Sequence, residues 1–144
     1  HRAEGGGTGY EAIDAASPPM IIGIGTDIVS VQRMRDSMEK MGAKFPKRLL
    51  TEPEYDEFVA KKNGPAFLAK RFAAKEALVK ALGTGFAKGI TWKQITVRND
   101  GLGAPFLELS GATQEKANAL GVTQIHLSLS DEQAQAVAFV ILEG

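Results

Sequence analysis

Two acidic residues, far apart in the chain, stand where an acid is hard to explain. In Ile21-Ile22-Gly23-Ile24-Gly25-Thr26-Asp27-Ile28-Val29, a strand's period of two puts Gly23, Gly25 and Asp27 on one face and Ile22, Ile24 and Ile28 on the other. Glycines inside a strand mark the close approach of another backbone or of a ligand, so an Asp ending that bare strip could point into a cleft. In the second segment, Leu68, Phe72, Glu76 and Val79 recur at the spacing of a helix face turned toward a core, and Glu76 interrupts it. A carboxylate there is costly unless it is paired, protonated or bound to a cation. Each residue also has an ordinary explanation. Asp27 could cap the next helix, and Glu76 could form a surface pair with Lys80 four residues on, worth only ~0.3–0.5 kcal/mol. Taken together, the two acids suit Mg²⁺, which takes one or two carboxylates and completes its octahedron with water and substrate phosphate. Zinc is a poor fit, because His126 is the one histidine after Met20 and the chain has no cysteine.

Beside Glu76, the stretch Lys80-Ala81-Leu82-Gly83-Thr84-Gly85 offers an ammonium, a hydroxyl and a glycine turn, a setting for phosphate. The order of glycine and lysine is not that of a Walker A loop, and no G-x-G-x-x-G follows a strand. The same turn also reads simply as a helix stop. In Gln124-Ile125-His126-Leu127-Ser128-Leu129-Ser130, alternation sets His126 with Ser128 and Ser130. That polar face is either plainly exposed or lines a cleft where His126 binds phosphate or moves a proton.

The elements that must position these residues follow from pattern. Met20–Ile28 reads as a strand. Ser30 caps a helix to about Met41, with Val31, Met34, Met38 and Met41 on one side, and Gly42 ends it. That methionine stripe, like Trp92, reads as core, with a groove for a partner as the alternative. Phe45–Leu50 is a short helix or turn. Thr51-Glu52-Pro53-Glu54 is a capping box opening a helix to about Lys62. Asn63-Gly64-Pro65 precedes a long helix, Ala66–Leu82, stopped by Gly83. Ile95–Arg98 and Phe106–Leu109 form a hairpin around Asn99–Gly103. Ser110 caps a helix to about Leu120, and Val122–Ser130 and Gln135–Leu142 are two further strands. Segregated strands and helices predict an α+β domain with an antiparallel sheet packed against helices.

The 144 residues fit one domain. Without cysteine the chain has no disulfide framework, thiol nucleophile or cysteine-ligated metal, and an oxidising compartment is not called for. The longest apolar runs, Met20–Ile24 and Ala136–Leu142, fall far short of the ~18 residues of a membrane span. Residues 1–19 are Gly-rich, lack an apolar signal region and end in a Pro pair; they read as a flexible leader or tag remnant, with the domain over 20–144 and Met20 as its natural start. Charge is uneven: Arg33–Lys80 holds twelve bases and seven acids, whereas Ala81–Gly144 holds four and six. The basic part is either a solvated helix surface or an attractor for a phosphorylated ligand or an acidic protein.

Gly23-Ile24-Gly25-Thr26-Asp27-Ile28-Val29 and Arg71-Phe72-Ala73-Ala74-Lys75-Glu76-Ala77-Leu78-Val79-Lys80-Ala81 resemble the two signature motifs of the holo-[acyl-carrier-protein] synthases, the small bacterial-type 4′-phosphopantetheinyl transferases. The similarity extends over Met20–Gly144, taking in Gly83-Thr84-Gly85, Asn99–Pro105 and the His126 strand. The resemblance implies that family's fold and its activity in fatty acid biosynthesis: transfer of 4′-phosphopantetheine from coenzyme A to a serine of apo acyl carrier protein, releasing adenosine 3′,5′-bisphosphate. It implies Asp27 and Glu76 as Mg²⁺ ligands and, with Lys80, as catalytic residues. It implies coenzyme A contacts from Lys80, Gly83, Thr84 and His126, and a contact from Arg33 to the acidic carrier. It further implies a cytoplasmic homotrimer with active sites at subunit interfaces, and neither a nucleic-acid nor a membrane partner. Two competing readings are a non-catalytic coenzyme A or nucleotide-binding module, which needs no paired Asp27 and Glu76, and a Mg²⁺ phosphohydrolase.

Overall fold

Small residues decide where the long helix can lie. The computed structural model describes residues 18–144, so nearly all of the expected leader lies outside the described residues. The chain runs β1 (Ile21–Ser30), α1 (Val31–Met41), α2 (Lys44–Leu49), α3 (Glu52–Val59), α4 (Gly64–Leu82), a 3₁₀ turn (Trp92–Gln94), β2 (Ile95–Asn99), β3 (Pro105–Leu109), α5 (Gly111–Ala119), β4 (Gln124–Asp131) and β5 (Gln135–Glu143). Antiparallel strands in the order β1-β5-β4 make one sheet, and β2-β3 a separate hairpin. Met20 and Gly144 close the first sheet by exchanging two backbone hydrogen bonds of 2.9 Å. The α+β single-domain expectation is borne out.

The helix boundaries have local causes. The Ser30 hydroxyl accepts the Arg33 amide proton at 3.0 Å, so Ser30, and not Asp27, caps α1. Asn63 Oδ1 accepts from the Ala66 amide at 3.2 Å and starts α4 two residues before the sequence pattern places it. Gly83, at φ 79°, ends it in the left-handed region. Ser110 stands before α5, but its hydroxyl is not the cap; Gln94 Oε1 accepts instead, from the Thr113 amide at 3.1 Å and its hydroxyl at 2.7 Å.

The expectation of a one-sided α4 is corrected. The helix is central and buried nearly all round, from Phe67 and Leu68 to Ala81 and Leu82, as a helix apolar on every side must be. One side lies on β1 and β5, whose inward residues Val29, Ala136, Ala138, Val140 and Leu142 are buried. The other meets α1 through Val31 and Met34. A Cβ at Gly25 would run into the Ala77 carbonyl oxygen, and one at Gly23 into that of Ala81. The glycine strip therefore marks helix backbone, not ligand. The outward side of this sheet is apolar and open: Ile21, Ile24, Ile28, Val137 and Phe139 are all exposed. No helix among the described residues is long and apolar enough to cross a membrane.

Candidate active site

Between Arg71 and Leu82 every residue of α4 is buried except Glu76 and Lys80, one turn apart. That window is where β1 delivers Asp27. As the strand advances from Gly23 to Gly25, its contacts on the helix step back from Ala81 toward Ala77; two residues further, about 6.7 Å along, Asp27 lies close enough for its charge to act on Glu76. Lys80 Nζ bonds Asp27 Oδ1 at 3.0 Å and the Thr26 carbonyl at 3.0 Å. The expected Glu76–Lys80 pair is therefore not formed: Lys80 turns to the strand. Glu76 makes no hydrogen bond or ion pair among the described residues. Burial pushes its carboxyl above the usual carboxylate range, the Asp27 charge adds to that, and Lys80 and Arg33 pull the other way.

Two carboxylates near enough to repel, one without a hydrogen bond or ion pair among the described residues, are an arrangement that a divalent cation would relieve. The donor set fits Mg²⁺: hard oxygens only, and two of them. No group of three or more His, Asp or Glu gathers among the described residues, so water and phosphate would have to complete the shell.

The other expected site residues are placed as follows. Arg33 sits near Glu76, its guanidinium 4.8 Å over the Phe72 ring. The Gly83–Gly85 turn adjoins Lys80, but its amides are already used: Gly83 donates to the Lys80 carbonyl at 3.0 Å, and Thr84 and Gly85 to that of Val79 at 3.2 and 3.3 Å. The helix-stop reading is the correct one for its backbone. What the turn offers outward is the Thr84 hydroxyl, now donating to the Gly85 carbonyl at 2.8 Å. His126 is not brought to this window. It pairs across the sheet with Ile141, which pairs with Ile24, on the outward face; Asp27 pairs with Ala138 and points inward. His126 is exposed there, with Nε2 at 2.9 Å from Glu143 Oε1.

Sequence reasoning missed the residue beside Glu76. Lys75 is fully buried, its Nζ donating to Glu54 Oε1 at 2.7 Å, to the Leu49 carbonyl at 2.7 Å and to that of Trp92 at 3.3 Å. Glu54 Oε1 also accepts from the Thr51 amide at 2.9 Å, and its Oε2 from the Val97 amide at 2.8 Å. Desolvation lowers the Lys75 ammonium to about 8, against the opposing pull of Glu54. The capping box at Thr51–Glu54 was legible; that Glu54 also holds a buried lysine was not. The available signal was spacing, since Leu68, Phe72, Lys75, Val79 and Leu82 trace a helix stripe as well as Glu76 does. Arg71, 4% exposed, is buried too; its Nη2 reaches Glu57 at 3.2 Å and its plane covers Phe67 at 4.2 Å.

Comparison with known proteins shows the family. Residues 23–140 match the model of the 4′-phosphopantetheinyl transferase superfamily. The holo-[acyl-carrier-protein] synthase of Vibrio cholerae is 50% identical over 124 residues, 86% of this chain and 98% of that protein. The crystal structure of the synthase from Neisseria meningitidis superposes with a TM-score of 0.83 at 41% identity, covering 87% of this chain and all of that one. That of the Bacillus anthracis synthase, in complex with coenzyme A (3′,5′-ADP), gives 0.72 at 42% identity over 87% and 98% of the two chains. The chain belongs to the 4′-phosphopantetheinyl transferase superfamily, and it is an enzyme of the phosphopantetheine-transferring class.

Proposed function

We propose that this enzyme transfers 4′-phosphopantetheine from coenzyme A to a serine of apo acyl carrier protein, in fatty acid biosynthesis in the cytoplasm, at a site made of Asp27, Glu76 and Lys80. The observation that carries the site is the window in α4, where the only two unburied side chains between Arg71 and Leu82 meet the one acid of β1. In the reaction, the serine oxygen bonds to the phosphorus that bears pantetheine. The serine proton passes to Glu76 or to water, the bond from that phosphorus to the bridging oxygen breaks, and adenosine 3′,5′-bisphosphate leaves with the bridging oxygen.

Asp27 and Glu76 would hold Mg²⁺, which when bound supplies charge neutralisation at the pyrophosphate. Lys80 holds Asp27 in place through Oδ1 and turns an ammonium toward the phosphate oxygens. Thr84 exchanges its local bond for one to phosphate. Arg33, on the basic α1, meets the acidic carrier. His126 reaches coenzyme A from a neighbouring copy. Its outward face, with exposed Ile24, Ile28 and Phe139, is the kind of apolar patch that a soluble chain covers by self-association, in line with a homotrimer whose sites lie between subunits.

Incubation with apo carrier, coenzyme A and Mg²⁺, followed by weighing the carrier, tests the reading. A mass gain of one phosphopantetheine supports it. No gain, with coenzyme A bound and intact, leaves a binding module; coenzyme A breakdown without carrier indicates a phosphohydrolase.

A further inference from the structure

The single tryptophan of the chain lies in the middle of a stack that the reaction as described does not use. The Trp92 indole is stacked on the Phe86 ring, centroids 3.9 Å apart and planes 24° apart. It also packs against Phe72, centroids 5.1 Å apart and planes tilted by 31°. Phe72 in turn carries the Arg33 guanidinium 4.8 Å over its ring. One cation and three rings thus run without a break from α1, across α4 and the 3₁₀ turn, to the loop that follows Gly85. The backbone of Trp92 is fixed independently, because its carbonyl accepts from buried Lys75 at 3.3 Å. Phe86 is bonded directly to Gly85, so wherever the indole holds that ring, it also fixes the exit of the glycine turn. Ring–ring contacts and a guanidinium over a ring have preferred geometries, so a change at the indole is felt at both neighbours.

We propose that Trp92 is a positioning residue for both substrates: through Phe86 it sets the Gly83–Gly85 turn against the coenzyme A phosphates, and through Phe72 it aims the Arg33 guanidinium at the carrier. This rests on the function proposed above, in which the turn faces coenzyme A and Arg33 meets the carrier. A tryptophan that only filled space would change the amount of folded enzyme and its melting temperature, and would leave both KM values alone.

Trp92→Leu is expected to raise KM for coenzyme A and for the carrier together, each by about tenfold, with kcat far less affected; Trp92→Phe, which keeps a ring in the stack, restores both. In the wild type, coenzyme A with Mg²⁺ is expected to shift the emission of this lone indole. Phe86→Leu removes that shift while calorimetry still detects coenzyme A binding. Unchanged KM values in folded Trp92→Leu, or an emission indifferent to coenzyme A that calorimetry shows to be bound, would overturn the proposal. Should Trp92→Leu not fold, the wild-type and Phe86→Leu emission decide alone. A wild type that neither binds coenzyme A nor adds mass to the carrier overturns the function itself, which is seen before any Trp92 variant is made.

Discussion

Helix α4 carries two lysine–carboxylate arrangements five residues apart, and they are built to opposite ends. At Lys75 the pair is closed: both partners are fully buried, they meet at 2.7 Å, and the carboxylate also accepts from two backbone amides. At Lys80 it is open: the ammonium is half exposed, it takes one oxygen of Asp27, and at Glu76 burial and a like charge outweigh the pull of Lys80 and Arg33. The closed pair gathers α2, α3, the 3₁₀ turn and β2 around one nitrogen. The open one leaves coordination capacity free. A carboxylate under that burden is one that a bound cation would relieve, and stability is commonly given up in this way at a functional site.

The widest separation between the two regions is expected from single substitutions that remove charge. Glu76→Gln should lower the transfer rate by roughly 10³-fold while the protein stays folded, as measured with carrier and coenzyme A at saturation. Activity close to wild type would remove Glu76 from the site. At the closed pair the loss is of stability instead. Lys75→Met leaves Glu54 buried without its cation and should cost about 3–5 kcal/mol in urea unfolding, whereas Lys75→Met with Glu54→Gln, which removes the buried charge but leaves an acceptor for only one of the Thr51 and Val97 amides, should recover part of it. If the double variant is as unstable as the single one, the pair is not the closed unit described.

Next in size is the packing that joins the two. Gly25→Ala sets a methyl group against the Ala77 carbonyl and should cost about 1–3 kcal/mol. Transfer should fall with it, since the strand that carries Asp27 is pushed off α4. The smallest effect is on the stability of the Glu76 variant. A carboxyl whose folded pKa lies above its unfolded value binds more protons folded than unfolded between the two, so unfolding free energy falls as pH rises through that window. Glu76 is therefore a net cost at neutral pH, and in a chelator Glu76→Gln should melt higher than wild type, with the advantage fading as the pH is lowered toward the carboxylate range. A lower melting temperature at neutral pH would contradict the open arrangement.

Much of this is legible in the amino-acid sequence. The caps at Ser30, the Thr51–Glu54 box and the Gly83 stop are local chemistry, and each element they bound is present. Asp27 and Glu76 stood out because acids interrupt regular patterns. The rest depended on contacts that one segment does not encode. Gly23 and Gly25 announced a close approach but not its partner, which is a helix more than fifty residues on. Nothing in its own segment marks Lys75, since lysines usually lie at the surface; the Glu54 carboxylate and the carbonyls of Leu49 and Trp92 make it a core residue. His126 fell on the far face because strand alternation fixes a side of the sheet only once the sheet's neighbours are known.

The central claim is that Asp27 and Glu76 together hold one divalent cation. Calorimetric titration of Mg²⁺ into the protein saturated with adenosine 3′,5′-bisphosphate addresses it without turnover. One site per chain is expected in the wild type and in the Lys75→Met, Glu54→Gln double variant, and none in Asp27→Asn or Glu76→Gln. Mg²⁺ binding that survives unchanged in either carboxylate variant would contradict the account.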